Sequence, residues 1–196
     1  MSSKITNRDQ LYLFLEHGVE LDTKTIYMGY GLDPEMDIDQ GLARNVIMGL
    51  RILSSIRPEE PISIIVNCQG GDTQHGFAIY DAIRMVNSPV HITVIGHCYS
   101  MAAWILQAGD IRRISRNSSL MIHDGDSTVS GRKDETKSWY KFYEEQDVMC
   151  REILLQKIRE KNPGFTMAKL EKMLKTDTIL WPQQALELGL IDEVLE

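Results

Sequence analysis

Cysteine is scarce in this chain of 196 residues, and the three present (Cys68, Cys98 and Cys150) are odd in number and form no CxxC pair. That pattern gives neither a disulfide framework nor zinc-ligand spacing, and a chain of this length buries a sizeable core without staples. A reducing, cytoplasmic compartment is the expectation, with no metal or organic cofactor. Basic residues are also in deficit: 21 Lys and Arg stand against 28 Asp and Glu, for a formal charge of −7. No basic stripe follows the chain, so the electrostatic footprint of a nucleic-acid binder is missing. The opening MSSKITNRDQ has no apolar run of the signal-peptide kind. The longest stretch free of formal charge, Met85 to Gly109, is interrupted by Asn87, Ser88, Pro89, His91, His97 and Gln107. Its pattern switches from strand to helix halfway, so it reads as a buried strand-turn-helix and no membrane span is expected. Internal repeats and low-complexity linkers are absent as well.

What is there is an alternation of strand-like and helix-like segments, the signature of α/β layering with parallel strands and crossover helices. TIYM (25 to 28) reads as a short strand. Asp37 followed by Gln40 resembles a capping box for an amphipathic helix running to about Ile56. Ile62 to Val66 is too continuously apolar for a half-exposed strand and is expected at the centre of a sheet. Gly70-Gly71 breaks it before a helix around Gly76 to Val86. His91 to Ile95 is the next strand, Ser100 to Ala108 the next helix, and SLMIHDG (119 to 125) a later strand ending in His123. From Arg132 to about Glu160 one long helix carries Trp139, Phe142, Tyr143, Met149, Ile153, Leu154 and Ile158 at three- and four-residue spacings. Such a helix either crosses the whole domain or projects from it to meet another subunit. Past Pro163 come a short helix near Met167 to Leu174, a segment around Asp177, and a last helix opened by Pro182 and closed by Gly189.

Ser100 stands where the strand-like run ends and the helix-like run begins. It suits a helix N-cap, and it suits a nucleophile if a base, an orienting carboxylate and an oxyanion hole are nearby. The Gly70-Gly71 pair closes one strand and Met101 opens the helix after the next. The glycines read as an ordinary tight turn, or Gly71 and Met101 offer two backbone N–H groups to one oxyanion, because carboxyl ends of neighbouring parallel strands lie side by side. Of the five histidines, His17 and His75 lie in polar segments, His91 opens a strand, and His97 is too close to Ser100 to face it. His123 ends an apolar strand and can reach the same rim with one ring nitrogen toward the hydroxyl. The carboxylates near that rim are Asp72, Asp124, Asp126 and Asp177, among which spacing does not choose.

GHCYSMAAWILQAG, followed 23 residues after its serine by the histidine of MIH, resembles the ClpP family, the proteolytic subunit of the ATP-dependent Clp protease. VNCQGGDTQHGFAIYDAI looks like that family's Gly-Gly oxyanion loop and following helix, and ALELGLIDEVLE like its carboxyl-terminal signature. The likeness covers residues 25 to 196, leaving residues 1 to 24 as a divergent amino-terminal segment. It implies a ClpP/crotonase-like α/β fold whose long helix is a handle joining two rings. It also implies a serine endopeptidase working through an acyl-enzyme, with Ser100, His123 and Asp177 as the triad and Gly71 and Met101 as the oxyanion hole. In that family the catalytic aspartate precedes the closing aspartate of GL(I/V)D by fifteen residues, as Asp177 precedes Asp192 here. The implied assembly is a homo-oligomer of stacked heptameric rings acting on peptides or unfolded proteins, with a Clp-type ATPase unfoldase as the candidate partner. Two rival functions fit the same motifs: a ring subunit without productive geometry, and a crotonase-fold acyl-CoA enzyme. The chain departs from the family pattern at Cys98-Tyr99 before the serine, where small residues are usual, and at Asp124-Gly125, where Gln-Pro is usual. Thr176 replaces the arginine before the aspartate, and Ser63 and Ile65 replace the aromatic pair that seats the ATPase loop.

Overall fold

The computed structural model describes residues 6–29, 38–125 and 128–196. Helix α1 (Asn7–His17) starts at a capping box between Thr6 and Asp9, ends on left-handed Gly18, and buries none of its residues. Strands β1 (Val19–Glu20) and β2 (Thr25–Met28) form an antiparallel edge. Helix α2 (Gln40–Ile56) is capped by Asp39, whose carboxylate accepts the Leu42 N–H at 2.8 Å. Asp37, expected in that role, lies outside the described residues. Leu42, Val46, Leu50 and Leu53 form one buried stripe of α2, at the spacing a core-facing helix requires. Then follow β3 (Ile62–Cys68), α3 (Thr73–Met85), β4 (Val90–Tyr99), α4 (Met101–Leu106), β5 (Ile111–Ser115) and β6 (Ser119–Ile122). The carboxyl-terminal third holds α5 (Lys133–Lys161), α6 (Met167–Leu174), β7 (Thr178–Leu180), α7 (Pro182–Leu188) and β8 (Glu193–Leu195).

Among the described residues there is one eight-stranded sheet, ordered β1-β2-β3-β4-β5-β8, with β6 attached to β4 and β7 to β6. It is parallel except at β1-β2 and β6-β7, which agrees with the α/β expectation. Strand β3 is central, as its apolar run predicts. Its burial is uneven, however: Ile62, Ile64, Val66 and Cys68 are buried while Ser63, Ile65 and Asn67 on the other face are only half-buried.

The ten-residue β4 has two neighbours on one side. His91 to Val94 pair with β5, and His97 to Tyr99 pair with β6. Between these halves the register with β3 jumps, from Val66 opposite Val94 to Cys68 opposite Cys98. Three residues of β4 therefore span the gap that Asn67 alone spans on β3, a bulge that re-aims the end of the strand. Side chains hold the bulge: the His97 N–H donates to Asn67 Oδ1 at 3.1 Å and the Gly96 N–H to Ser118 Oγ at 2.8 Å.

The far edge is closed by Arg112. It is buried, its guanidinium donates to both carboxylate oxygens of Asp192, and Nη1 donates to Gln107 Oε1 and the Gly189 carbonyl. A buried arginine with a forked carboxylate partner and further acceptors is the satisfied form of such a pair. Helix α5 divides into two. Leu154, Leu155 and Ile158 pack into the core, whereas Trp139, Tyr140 and Phe142 in the first half, and Val148 and Met149 just past the middle, are exposed.

Candidate active site

Ser100 occupies the N-cap position of α4, but its side chain makes no capping hydrogen bond. Its hydroxyl lies 2.8 Å from His123 Nε2. The backbone there has φ 49° and ψ −132°, the left-handed side of conformational space for a residue with a Cβ. Such a conformation costs on the order of 1–3 kcal/mol and persists only where the surroundings fix it. They do: the Ser100 N–H donates to the Met121 carbonyl at 2.9 Å, and the Ser100 carbonyl accepts the Ala103 N–H at 2.8 Å. The sharp turn from strand to helix lifts the hydroxyl out of the sheet toward the strand that carries the histidine.

The register of the sheet accounts for the meeting of the other side chains. Tyr99 pairs with Met121, so the residues just past both strand ends arrive together, and His123 comes up beside Ser100. Strand β7 runs antiparallel to β6 with Ile122 opposite Thr178, so the next step along each chain sets His123 opposite Asp177. Asp177 Oδ1 is 3.1 Å from His123 Nδ1. One ring nitrogen thus faces the hydroxyl and the other faces the carboxylate.

The remaining candidate carboxylates are engaged elsewhere or lie outside the described residues. Asp72 caps α3, accepting the His75 N–H at 2.9 Å. Asp124 turns away from the ring it follows and is gripped by Arg151, with Nε at 3.1 Å from one oxygen and Nη2 at 2.8 Å from the other. Asp126 is not among the described residues. The adjacent positions 123 and 124 face opposite ways, as successive residues of an extended chain must.

Gly70 and Gly71 are both in positive-φ conformations, 108° and 140°. A Cβ on Gly70 would lie 2.7 Å from Ser100 Cβ, and one on Gly71 would lie 2.5 Å from the Ile38 nitrogen, so neither position admits a side chain without displacing backbone. Ile38 pins this segment by donating to the Gly70 carbonyl at 2.7 Å and accepting the Asp72 N–H at 2.8 Å. The bridge between Ile38 and Gly71 runs through the Gly70 carbonyl and the Asp72 N–H, so Ile38 does not take up the Gly71 N–H. Met101 is the first residue of α4, where backbone N–H groups have no partner inside the helix.

A small cavity of about 40 Å³ lies against Ser100, walled by Met101, Trp104, His123, Asp147 and Cys150 among others. It adjoins a larger one of about 300 Å³ whose lining includes Gly71, Asp72, Tyr143, Gln146 and Asp147. Trp104 fastens α5 along this cleft by donating its indole N–H to the Cys150 carbonyl at 2.9 Å. Burial, aided by the nearby negative charges of Asp147 and Asp124, pushes the Cys150 thiol up to about 12 against the pull of Arg151. It therefore carries negligible thiolate at neutral pH.

Sequence reasoning did not find Arg151, Asp147 or Asn67. The signals were present but weak: Asn67 is the lone amide in an otherwise apolar strand, and Asp147 and Arg151 are one helical turn apart on a helix rich in charge.

The family model described as Clp protease matches residues 24–196. The ATP-dependent Clp protease proteolytic subunit of Deinococcus radiodurans is 30% identical over 183 residues, covering 90% of this chain and 82% of its own length. The ATP-dependent Clp protease proteolytic subunit 1 of Protochlamydia amoebophila is 32% identical over 190 residues, covering 92% of this chain and 84% of its own length. With a match over nearly the whole chain, this protein belongs to the Clp protease family of peptidases.

Proposed function

We propose that the chain is a serine endopeptidase in which Ser100 attacks the peptide carbonyl, His123 relays the proton and Asp177 orients the imidazole. The observation that carries this reading is the continuous hydrogen-bonded line from Ser100 Oγ through both nitrogens of His123 to Asp177. In the first half-reaction Nε2 accepts the hydroxyl proton as Oγ bonds to the carbonyl carbon. The Gly71 and Met101 N–H groups donate to the developing oxyanion, and His123 returns the proton to the departing amine. Water then repeats the sequence on the acyl-enzyme, restoring Ser100 and releasing the acid. Productive spacing at both nitrogens favours this over a subunit that has lost catalysis. An acyl-CoA enzyme of the crotonase type would place free carboxylates at the reacting carbon, whereas Asp124 is held by Arg151 and Asp177 by His123. The test is a fluorophosphonate probe with mass mapping: one adduct on the peptide containing Ser100, absent in Ser100→Ala, is expected. Failure to label the folded protein would overturn the reading.

The same reading includes a cytoplasmic ring assembly, two stacked heptamers joined through the first half of α5 and fed by a Clp-type ATPase. Support comes from the face this half leaves uncovered: Trp139 is 47% and Phe142 37% exposed, with Trp139 edge-on to Phe142 at 5.7 Å and stacked on Tyr143 at 6.0 Å. A large exposed aromatic cluster on a soluble helix marks a contact surface. Truncating Trp139 to Ala is expected to remove on the order of 3 kcal/mol from an interface that buries it. Sedimentation velocity should then show a smaller particle while circular dichroism stays native. An unchanged profile with both Trp139 and Phe142 truncated would count against the handle.

A further inference from the structure

We propose that Asp147 selects a lysine or arginine side chain of the substrate in the subsite beside the scissile bond, an inference that rests on the peptidase reading of Ser100. The two cavities of the cleft share a wall made of Thr73, Gly125 and Asp147. A peptide whose carbonyl lies between Ser100 and the Gly71 N–H therefore sends a neighbouring side chain past Asp147 into the larger cavity. Among the described residues, the carboxylates in that cavity's lining are Asp72 and Asp147, and no Lys or Arg lines it. Asp72 spends part of its accepting capacity on the His75 N–H. Asp147 is different: among the described residues it accepts no hydrogen bond and lies in no ion pair.

The reason is the arrangement of Arg151. It stands one turn further along α5, where it would be the ordinary partner of Asp147, yet its guanidinium is forked onto both oxygens of Asp124. The usual Gln-Pro after the histidine would leave that arginine without a carboxylate, and Asp124 supplies one. Asp147 is left half-buried and facing the cleft. Burial raises its pKa; Arg151 pulls it down, and the charges of Asp124 and Glu144 push it further up. Arg151 offsets part of the repulsion from Asp124 and Glu144 without pairing with Asp147, and an incoming cation pairs with it directly. Tyr143 lies one turn before Asp147 and lines the same cavity, so its ring offers a face to the alkyl stem or the charged head of the same side chain.

Paired peptides that differ only in lysine or norleucine, placed on either flank of the cleaved bond, measure the preference as a ratio of kcat/KM. For one flank the wild-type ratio is expected to favour lysine by on the order of 10- to 100-fold, the worth of a charge-assisted hydrogen bond made away from bulk water. The ratio should fall with salt, approach unity in Asp147→Asn, and turn to favour glutamate over norleucine in Asp147→Lys. A wild type indifferent to lysine on both flanks, or a lysine preference that survives in Asp147→Asn, overturns the proposal. Labelling of wild-type Ser100 by a fluorophosphonate and cleavage of uncharged peptides report separately on the chemistry. If both occur without a lysine preference, Asp147 loses its role and the peptidase reading stands. If neither occurs, both readings fall.

Discussion

Ser100→Ala is expected to lower peptide turnover by about 10⁴-fold or more while the protein keeps its fold and its assembly. Triad members act as a unit, so what survives is the contribution of binding and of the oxyanion donors. The local geometry argues that the fold survives too. Removing the hydroxyl deletes one hydrogen bond to His123, a ring still held by Asp177 on its other side. The strained backbone of Ser100 is fixed by its own N–H and carbonyl rather than by Oγ, and Ala has no greater difficulty with that conformation than Ser. Thermal unfolding should therefore move little. Turnover in Ser100→Ala that matched wild type, in a preparation free of host peptidase, would remove Ser100 from the mechanism. Loss of turnover accompanied by loss of fold would point instead to a structural role, one that the hydrogen-bond pattern does not give it.

The reach of the sequence differs between elements for physical reasons. Strands β2 and β3 and helices α6 and α7 carry their own signals: β-branched runs, Thr166 accepting the Lys169 N–H, Pro182 at a helix start and Gly189 at its end. Helix α1 carries such signals too, in Thr6, Asp9 and Gly18, but with no buried face it lacks the apolar period that draws attention to a helix. Strand β5 is masked in the sequence by Arg112 and Arg113, charges that look foreign to a sheet until Asp192, just before β8, and Glu193, its first residue, arrive some eighty residues later. The helix expected over Ser100 to Ala108 is Met101–Leu106, because Ser100 takes a positive φ that no helical residue has.

The candidate site shows the same division. Ser100 and His123 stand out in the sequence because each follows a recognisable strand. The division of β4 between two partners, which sets those ends side by side, follows from a bulge and from Asn67 and Ser118 side chains, features without a sequence period. The family resemblance, and no sequence pattern, singles out Asp177. Its partner relation to His123 comes from a three-residue antiparallel strand, too short to announce itself.

That choice carries the second large effect: Asp177→Asn is expected to lower kcat by roughly 10²- to 10⁴-fold, and Asp124→Asn far less. The carboxylate at 3.1 Å from Nδ1 accepts a hydrogen bond from the proton on that nitrogen, which keeps the proton at Nδ1 and leaves the Nε2 lone pair free to accept from Ser100. An amide in its place can turn its NH₂ toward Nδ1, which favours the tautomer protonated at Nε2, and then the base has no lone pair for the hydroxyl. The range begins below the value for a buried triad because the Asp177 side chain is 67% exposed, and water can take over part of its task. Asp124 makes no such contact with the ring. Its loss frees Arg151 inside the cleft, and that arginine can then turn to Asp147, one helical turn away. The consequence expected of Asp124→Asn is a change in KM for charged peptides, with kcat within a few-fold of wild type. Measuring kcat and KM separately for both variants, at equal assembly by sedimentation, decides the matter. A kcat that falls more in Asp124→Asn than in Asp177→Asn would transfer the orienting role to Asp124, against the geometry that aims its carboxylate at Arg151.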